Sequence, residues 1–204
     1  MKNNLCTFYI VRHGETQWNA EHRVQGHTNI QLNSVGESQA RTLSEKLSNT
    51  TFDLVFSSDL LRAKRTAEII ALEKNLAIKT TKALREIRWG EFEGKTWDTV
   101  DAFEKTLEGL SEQEIGEKMK EHGAETPEEL VSRFIIFLRE TAVANPGKTI
   151  LVVTHGRAMS TLLKHLGFWG EGAKPHKSIS NGAVVKLESD GVDFFIKETG
   201  GVKK

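Results

Sequence analysis

Two short phrases in this chain of 204 residues carry side chains that could do chemistry together: Val11-Arg12-His13-Gly14 and Val153-Thr154-His155-Gly156. A guanidinium beside an imidazole offers an anion clamp and a nucleophile or base in one place. The glycine after each histidine lets backbone come close to a ligand. A single histidine of this kind is ordinarily a packing or surface residue. Two of them, each closing an apolar run and each with arginine nearby, point instead to one site built for an anion.

The elements that must position these residues are legible in the periodicity. Phe8 to Val11 and Thr149 to Thr154 are short apolar, β-branched runs, the pattern of buried strands. In open α/β sheets ligands bind at the carboxyl ends of strands, where Arg12, His13 and His155 fall. Asp53 to Ser57 predicts a second strand, and Leu60 to Leu72 an amphipathic helix with Arg62 in its first turn, able to reach back over that strand's end. Ala77 to Thr80 predicts a third strand, after which Leu84-Arg85-Glu86 approaches the same edge. Residues 14 to 32 read as a long polar loop, too irregular for a helix. Ser34 and Glu37 have capping-box spacing ahead of a helix running to about Leu47. Thr126-Pro127-Glu128-Glu129 opens a further helix. Another follows from Ala158 to Leu166, and Ala183 to Leu187 and Asp193 to Lys197 form a closing hairpin across Ser189-Asp190-Gly191. The expected fold is α/β: a three-layer sandwich with a mostly parallel sheet, an antiparallel edge strand and a small helical cap insertion over residues 95–125, all within one domain spanning 1–204.

Composition narrows the function classes. Lys+Arg and Asp+Glu both number 28, so no excess charge argues for nucleic acid or an anionic membrane. No apolar run could span a bilayer, and Met1 to Leu5 lacks the apolar region of a signal peptide, so a cytoplasmic protein is expected. The one cysteine, Cys6, excludes an internal disulfide and reads as a buried structural thiol. Gly90 to Thr96 imitates a phosphate-binding P-loop, but three residues separate its glycines where four are required. His22, His27, His122, His165 and His176 have no evident sequence partner and read as solvated.

At this point the residues carry a family resemblance. Arg12-His13-Gly14-Glu15 with Trp18-Asn19 resembles the signature of the histidine phosphatase, or phosphoglycerate mutase-like, superfamily. Ser57 to Ala63 with Thr66-Ala67, then Leu84-Arg85-Glu86 with Gly90 to Gly94, then Thr154-His155-Gly156, are similar to its later blocks in the same order. The resemblance implies that His13 is the nucleophile, taking the phosphoryl group as a phosphohistidine. It implies that Arg12, Arg62 and His155 bind phosphate oxygens, that Glu86 protonates the leaving group, and that Asn19, Gln25 and Gly26 complete the cradle with Gly156. Elementary chemistry agrees: two guanidiniums and an imidazole can neutralise the equatorial oxygens, so neither a metal nor another cofactor is needed. The attacking nitrogen must be unprotonated, and a carbonyl on the other ring nitrogen would fix that tautomer.

The same pocket could pass its phosphoryl group to water or to a second phosphoglycerate. Cofactor-dependent mutases have a tyrosine shortly after the glutamate, where Trp89 stands here, and a later pair of arginines, whereas no arginine occurs from Trp89 to Ser132. They also carry asparagine where this chain has Arg157, a residue able to reach a second anionic group. The expectation is therefore a metal-independent phosphomonoesterase acting on a small phosphorylated metabolite. A cofactor-dependent mutase, or a weakly active module that binds phosphate or phosphoprotein, is the alternative.

Overall fold

The computed structural model describes residues 4–170 and 178–203. Six strands form one sheet in the order β3-β2-β4-β1-β5-β6. Cys6–Arg12 (β1), Leu54–Ser58 (β2), Ile78–Thr81 (β3) and Thr149–Thr154 (β4) run parallel, while Ile179–Ser189 (β5) and Phe194–Val202 (β6) form an antiparallel hairpin against β1. The expected antiparallel edge is thus two strands wide.

Alternation along the two central strands decides the layers. Phe8 and Ile10 of β1, with Ile150 and Val152 of β4, face one core with Leu130, Phe134 and Leu138 of helix α6 (Pro127–Ala144) and Met159 and Leu162 of helix α7 (Gly156–His165). Val11, Leu151 and Val153 face the opposite core with Leu43 of helix α2 (Ser34–Lys46) and Ala63, Ala67 and Ile70 of helix α3 (Leu61–Ala71). Side chains of a strand point alternately to its two faces, so a strand apolar on both must be covered on both. Helices lie on each side of the sheet for that reason.

Local signals set several boundaries. Thr126 caps α6 through Glu129 N–H, with Pro127 at the first helical position and Glu129 reaching back to the cap. The start of α2 differs from expectation: Asn33, not Ser34, is the cap, and its side chain accepts from Gly36 N–H. Asparagine is as good a cap as serine and stands one residue earlier, so the helix begins at Ser34. The loop after β1 also holds one helical turn, α1 (Gln17–Ala20), because Thr16 and Asn19 close a capping box. Its short length hides it from periodicity.

Between β3 and α6 lie α4 (Trp97–Lys105) and α5 (Glu112–Glu121). Trp97 meets Trp89 edge-on with ring centroids 6.2 Å apart, and Phe103 lies 4.7 Å from Phe92. These rings attach the two helices to the main core. Cys6 is fully buried, and burial pushes its thiol up to about 11. Among the described residues, no helix is long and apolar enough to cross a membrane.

Candidate active site

The carboxyl ends of all four parallel strands converge. Arg12 and Thr154 are register partners across β1 and β4, so the next residues, His13 and His155, leave adjacent strands at one level. Their rings lie 5.1 Å apart, and both are buried. His13 is further tied down by its own N–H to Thr154 O at 3.0 Å and by Asn181 donating to its carbonyl at 3.0 Å. From the end of β2, Arg62 enters on the first turn of α3, fully buried.

Hydrogen bonds assign the two imidazoles opposite tautomers. His13 Nδ1 lies 2.6 Å from the carbonyl of Gly14. A carbonyl only accepts, so Nδ1 carries the proton and Nε2 keeps its lone pair. His155 Nδ1 lies 3.2 Å from Arg62 Nε, which only donates. That nitrogen is therefore the acceptor, and the proton of His155 sits on Nε2. One ring offers an electron pair to the site and the other an N–H. Burial, then the charges of Arg62 and Arg12, hold the His13 imidazole well below its ordinary value; burial, then Arg62, does the same for His155. Both rings are neutral at physiological pH.

Arg62 also donates to Gly26 O at 2.7 Å and Thr28 O at 2.8 Å, which fixes the loop carrying Gln25 and Gly26. Its burial lowers the guanidinium to about 10, still charged at neutral pH. Arg12 donates to Ile179 O, and its guanidinium lies over the start of α7 because residue 156 is glycine: a Cβ there would stand 2.9 Å from Arg12 Nε. Three buried side-chain polar atoms lack a protein partner among the described residues: Arg12 Nε, His155 Nε2 and Gln25 Oε1. Leaving such atoms unpaired costs about 1–3 kcal/mol each. All three belong to this site, two of them as N–H donors. A half-turn of the Gln25 amide would supply a third donor. The arrangement suits an anion with several acceptor oxygens.

Asn19 is held inside α1's capping box, with its Oδ1 accepting from Thr16 N–H at 3.2 Å and 3.4 Å from Asn181 Nδ2. Glu86 follows β3 and a single 3-10 turn. Its Oε1 accepts from Ile87 and Ala158 N–H, both at 2.9 Å, and its Oε2 from Arg157 N–H at 3.0 Å. The residue at the cap position of α7 is His155, which makes no side-chain cap bond. Glu86 does that work from another part of the chain. Burial lowers the guanidiniums of both Arg12 and Arg62, and the nearby Glu86 carboxyl offsets part of that effect.

The Arg157 side chain leads away from this cluster. Its guanidinium is paired with Glu104 of α4 and lies 5.5 Å from the Trp89 ring centre. Both residues line a cleft of about 500 Å³ between α4, α5 and α7, with Ile87, Leu107, Ile115 and Met119 as its apolar lining.

Two histidines read as solvated are not. His27 is half-buried, with Nε2 2.9 Å from Glu86 O, and His122 bonds Glu91 at 2.8 Å and meets the Phe92 and Phe103 rings. His22 and His165 are exposed, and His176 lies outside the described residues. Other supporting residues stand inside the family-like blocks, where their residue types alone gave them no role. Glu93 accepts from His27 N–H, Trp89 N–H and Thr28 Oγ1, which holds the Gln25–Thr28 loop to the segment after Glu86. Thr66 Oγ1 accepts from Gly14 N–H at 3.1 Å.

Residues 8–200 match the family model described as the histidine phosphatase superfamily, branch 1. The uncharacterized phosphatase PhoE of Bacillus subtilis is 38% identical over 163 residues, covering 77% of this chain and 75% of its own. The probable phosphoglycerate mutase GpmB of Salmonella choleraesuis is 36% identical over 161 residues, covering 78% and 74%. A crystal structure of phosphoglycerate mutase from Bacillus anthracis superposes with a TM-score of 0.82 at 28% identity, over 98% of this chain and 94% of that one.

Proposed function

The chain belongs to the histidine phosphatase superfamily, and from that premise we propose that it is a metal-independent phosphomonoesterase acting through a phosphohistidine. The observation that carries the reading is the pair of opposite tautomers on His13 and His155. Phosphoryl transfer needs an in-line nucleophile and donors on the equatorial oxygens, and the two rings supply one of each.

In this reading the phosphate dianion receives N–H donors from Arg12, Arg62 and His155, with Gln25, Asn19 and the Gly26 and Gly156 backbone shaping the cradle. His13 Nε2 attacks phosphorus as the bond to the ester oxygen breaks. Gly14 O stabilises the charge that develops on the ring through Nδ1–H. Glu86 Oε1 already accepts two N–H groups and Oε2 only one, so Oε2 is the oxygen with room for the proton given to the leaving alkoxide. The resulting carboxylate then takes a proton from the water that attacks the phosphohistidine, and inorganic phosphate leaves.

We read α4 and α5, within residues 95–125, as a cap whose cleft selects the leaving group. The substrate is a small phosphorylated metabolite. Arg157, paired with Glu104 at the cleft wall, is the candidate for a second anionic group on it.

The test is hydrolysis of p-nitrophenyl phosphate in EDTA, with rapid-quench trapping of the phosphoenzyme. Wild type is expected to turn over in chelator and to trap an acid-labile, base-stable phosphoryl group absent from His13→Ala. Loss of activity with chelator, or a His13→Ala enzyme that still turns over, would overturn the mechanism. Interconversion of phosphoglycerates dependent on 2,3-bisphosphoglycerate, without net hydrolysis, would overturn the hydrolase assignment.

A further inference from the structure

Arg133 of α6 lies outside every motif that carries the family resemblance, yet its guanidinium is fully engaged, on Glu125 and on one short segment of backbone. Its Nε and Nη2 form a fork on Glu125, at 2.7 and 2.9 Å. Nη1 donates to Ala83 O and Arg85 O, both at 2.8 Å, and Nη2 donates to Glu86 O at 3.0 Å. All five N–H groups are therefore used, three of them on backbone carbonyls of residues 83–86. Glu125 extends the clamp: its Oε2 accepts from Arg88 N–H at 3.2 Å, and its own N–H donates to Arg88 O at 2.8 Å. On the other side, His27 Nε2 lies 2.9 Å from the same Glu86 carbonyl. The segment between these anchors has no regular structure beyond one 3-10 turn, Lys82–Leu84. Nothing in its own backbone would hold the Glu86 peptide in place.

The geometry points to Arg133, braced by Glu125, as a positioning residue that aims the Glu86 carboxyl at the leaving-group oxygen. This rests on the reading of Glu86 as the proton donor. The chain of force is short. Arg133 fixes the Glu86 peptide from behind, and Ile87, Arg157 and Ala158 N–H fix its carboxyl from in front. A side chain clamped at both ends can deliver a proton along one direction only. Displacement by about 1 Å costs on the order of 10²-fold in rate when alignment matters. Lysine cannot substitute. It offers three donors from one point, whereas this site needs a planar fork that reaches a carboxylate and three carbonyls together.

A merely structural role would lower activity on every substrate alike, whereas misaimed proton donation depends on the leaving group. The measurement is kcat/KM on p-nitrophenyl phosphate, whose phenolate departs without a proton, and on glycerol phosphate, whose alkoxide needs one. This parameter reports only steps through phosphoenzyme formation, so the later role of Glu86 as a base does not enter. In Glu86→Gln the ratio of the two should rise by about 10²–10⁴ over wild type, the usual span of general acid catalysis. In Arg133→Lys it should rise by roughly tenfold to a hundredfold. Inhibition by inorganic phosphate should shift far less, since Arg133 touches no residue of the cradle. Should Arg133→Lys fail to fold by circular dichroism, Glu125→Gln, which keeps the shape and weakens the fork, should raise the ratio in the same direction by a smaller factor. A folded Arg133→Lys or Glu125→Gln enzyme with the wild-type ratio, beside a raised ratio in Glu86→Gln, overturns this inference alone. An unchanged ratio in Glu86→Gln itself overturns the proton-donor reading beneath it.

Discussion

Two neutral, buried imidazoles make the stability of this protein depend on pH in a direction and window that follow from their environment. Both His13 and His155 are held well below 6.5, chiefly by burial and secondly by the Arg62 charge. A group whose folded value is depressed contributes stability that is fully present above its unfolded value and is lost as pH falls. Here the unfolded chain takes up the protons and the folded chain resists them, so the loss begins near pH 6.5 and continues downward. Between pH 7.5 and 5.5 an unfolded histidine gains a factor of about ten in its binding polynomial, worth about 1.4 kcal/mol, and the pair together about 2–3 kcal/mol. In a chain of this length, that corresponds to a fall in Tm of about 5–10 °C. Calorimetric or urea unfolding at pH 7.5, 6.5 and 5.5, in buffers free of phosphate, measures it. Carboxylates and His27, whose imidazole is also lowered by burial, contribute to the wild-type slope. The informative quantity is therefore the difference from a His13→Asn/His155→Gln double variant, which carries no titrating ring at either position. That variant should lose about 2–3 kcal/mol less than wild type over the same interval. Parallel curves would mean that the two rings titrate alike in folded and unfolded chains, and the neutral-imidazole argument would fall.

Other outcomes follow from single contacts. Cys6, pushed up to about 11, should resist Ellman's reagent at pH 8 in the native protein and react only in denaturant; prompt native reaction would contradict its burial. A Cβ on residue 14 would stand 2.3 Å from Gly36 O, a backbone atom with no easy retreat. Gly14→Ala should therefore cost about 1–3 kcal/mol or more in urea unfolding, and a neutral effect would show that α2 can move away. Because Glu86 caps α7, Glu86→Gln should lose about 1 kcal/mol of stability besides its effect on turnover, read by thermal unfolding. Glu104→Gln frees Arg157 at the cleft wall; KM should fall for substrates with a second anionic group, while stability changes by no more than about 1 kcal/mol. A raised KM would argue against Arg157 as that group's partner.

Much of the scaffold was legible because burial writes itself into spacing. Phe8 to Val11 and Ile150 to Val153 are apolar on both faces, which only a strand covered on both sides explains, and the helices of both layers follow. Arg12, His13, Arg62 and His155 could be named as candidates from the chain because each stands at a strand end or a first helical turn within a distinctive run, whereas Glu86, five residues beyond the end of β3, was marked only by the family-like run Leu84-Arg85-Glu86. The cap of α2 was displaced by one residue, and α1 was missed, because a single turn and two adjacent cap-forming residues leave no periodicity to read.

Residue order, then, says which side chains gather at the carboxyl edge of the sheet. The state in which they meet comes from contacts between distant parts of the folded chain. The tautomer of His13 depends on the Gly14 carbonyl, that of His155 on Arg62 from another strand end, and the aim of Glu86 on Arg133 and His27. The partners that matter here are mostly backbone carbonyls and amides. Every residue carries those groups, so no residue type announces them, and only the path of the folded chain brings the right ones within 3 Å or so of the right side chain.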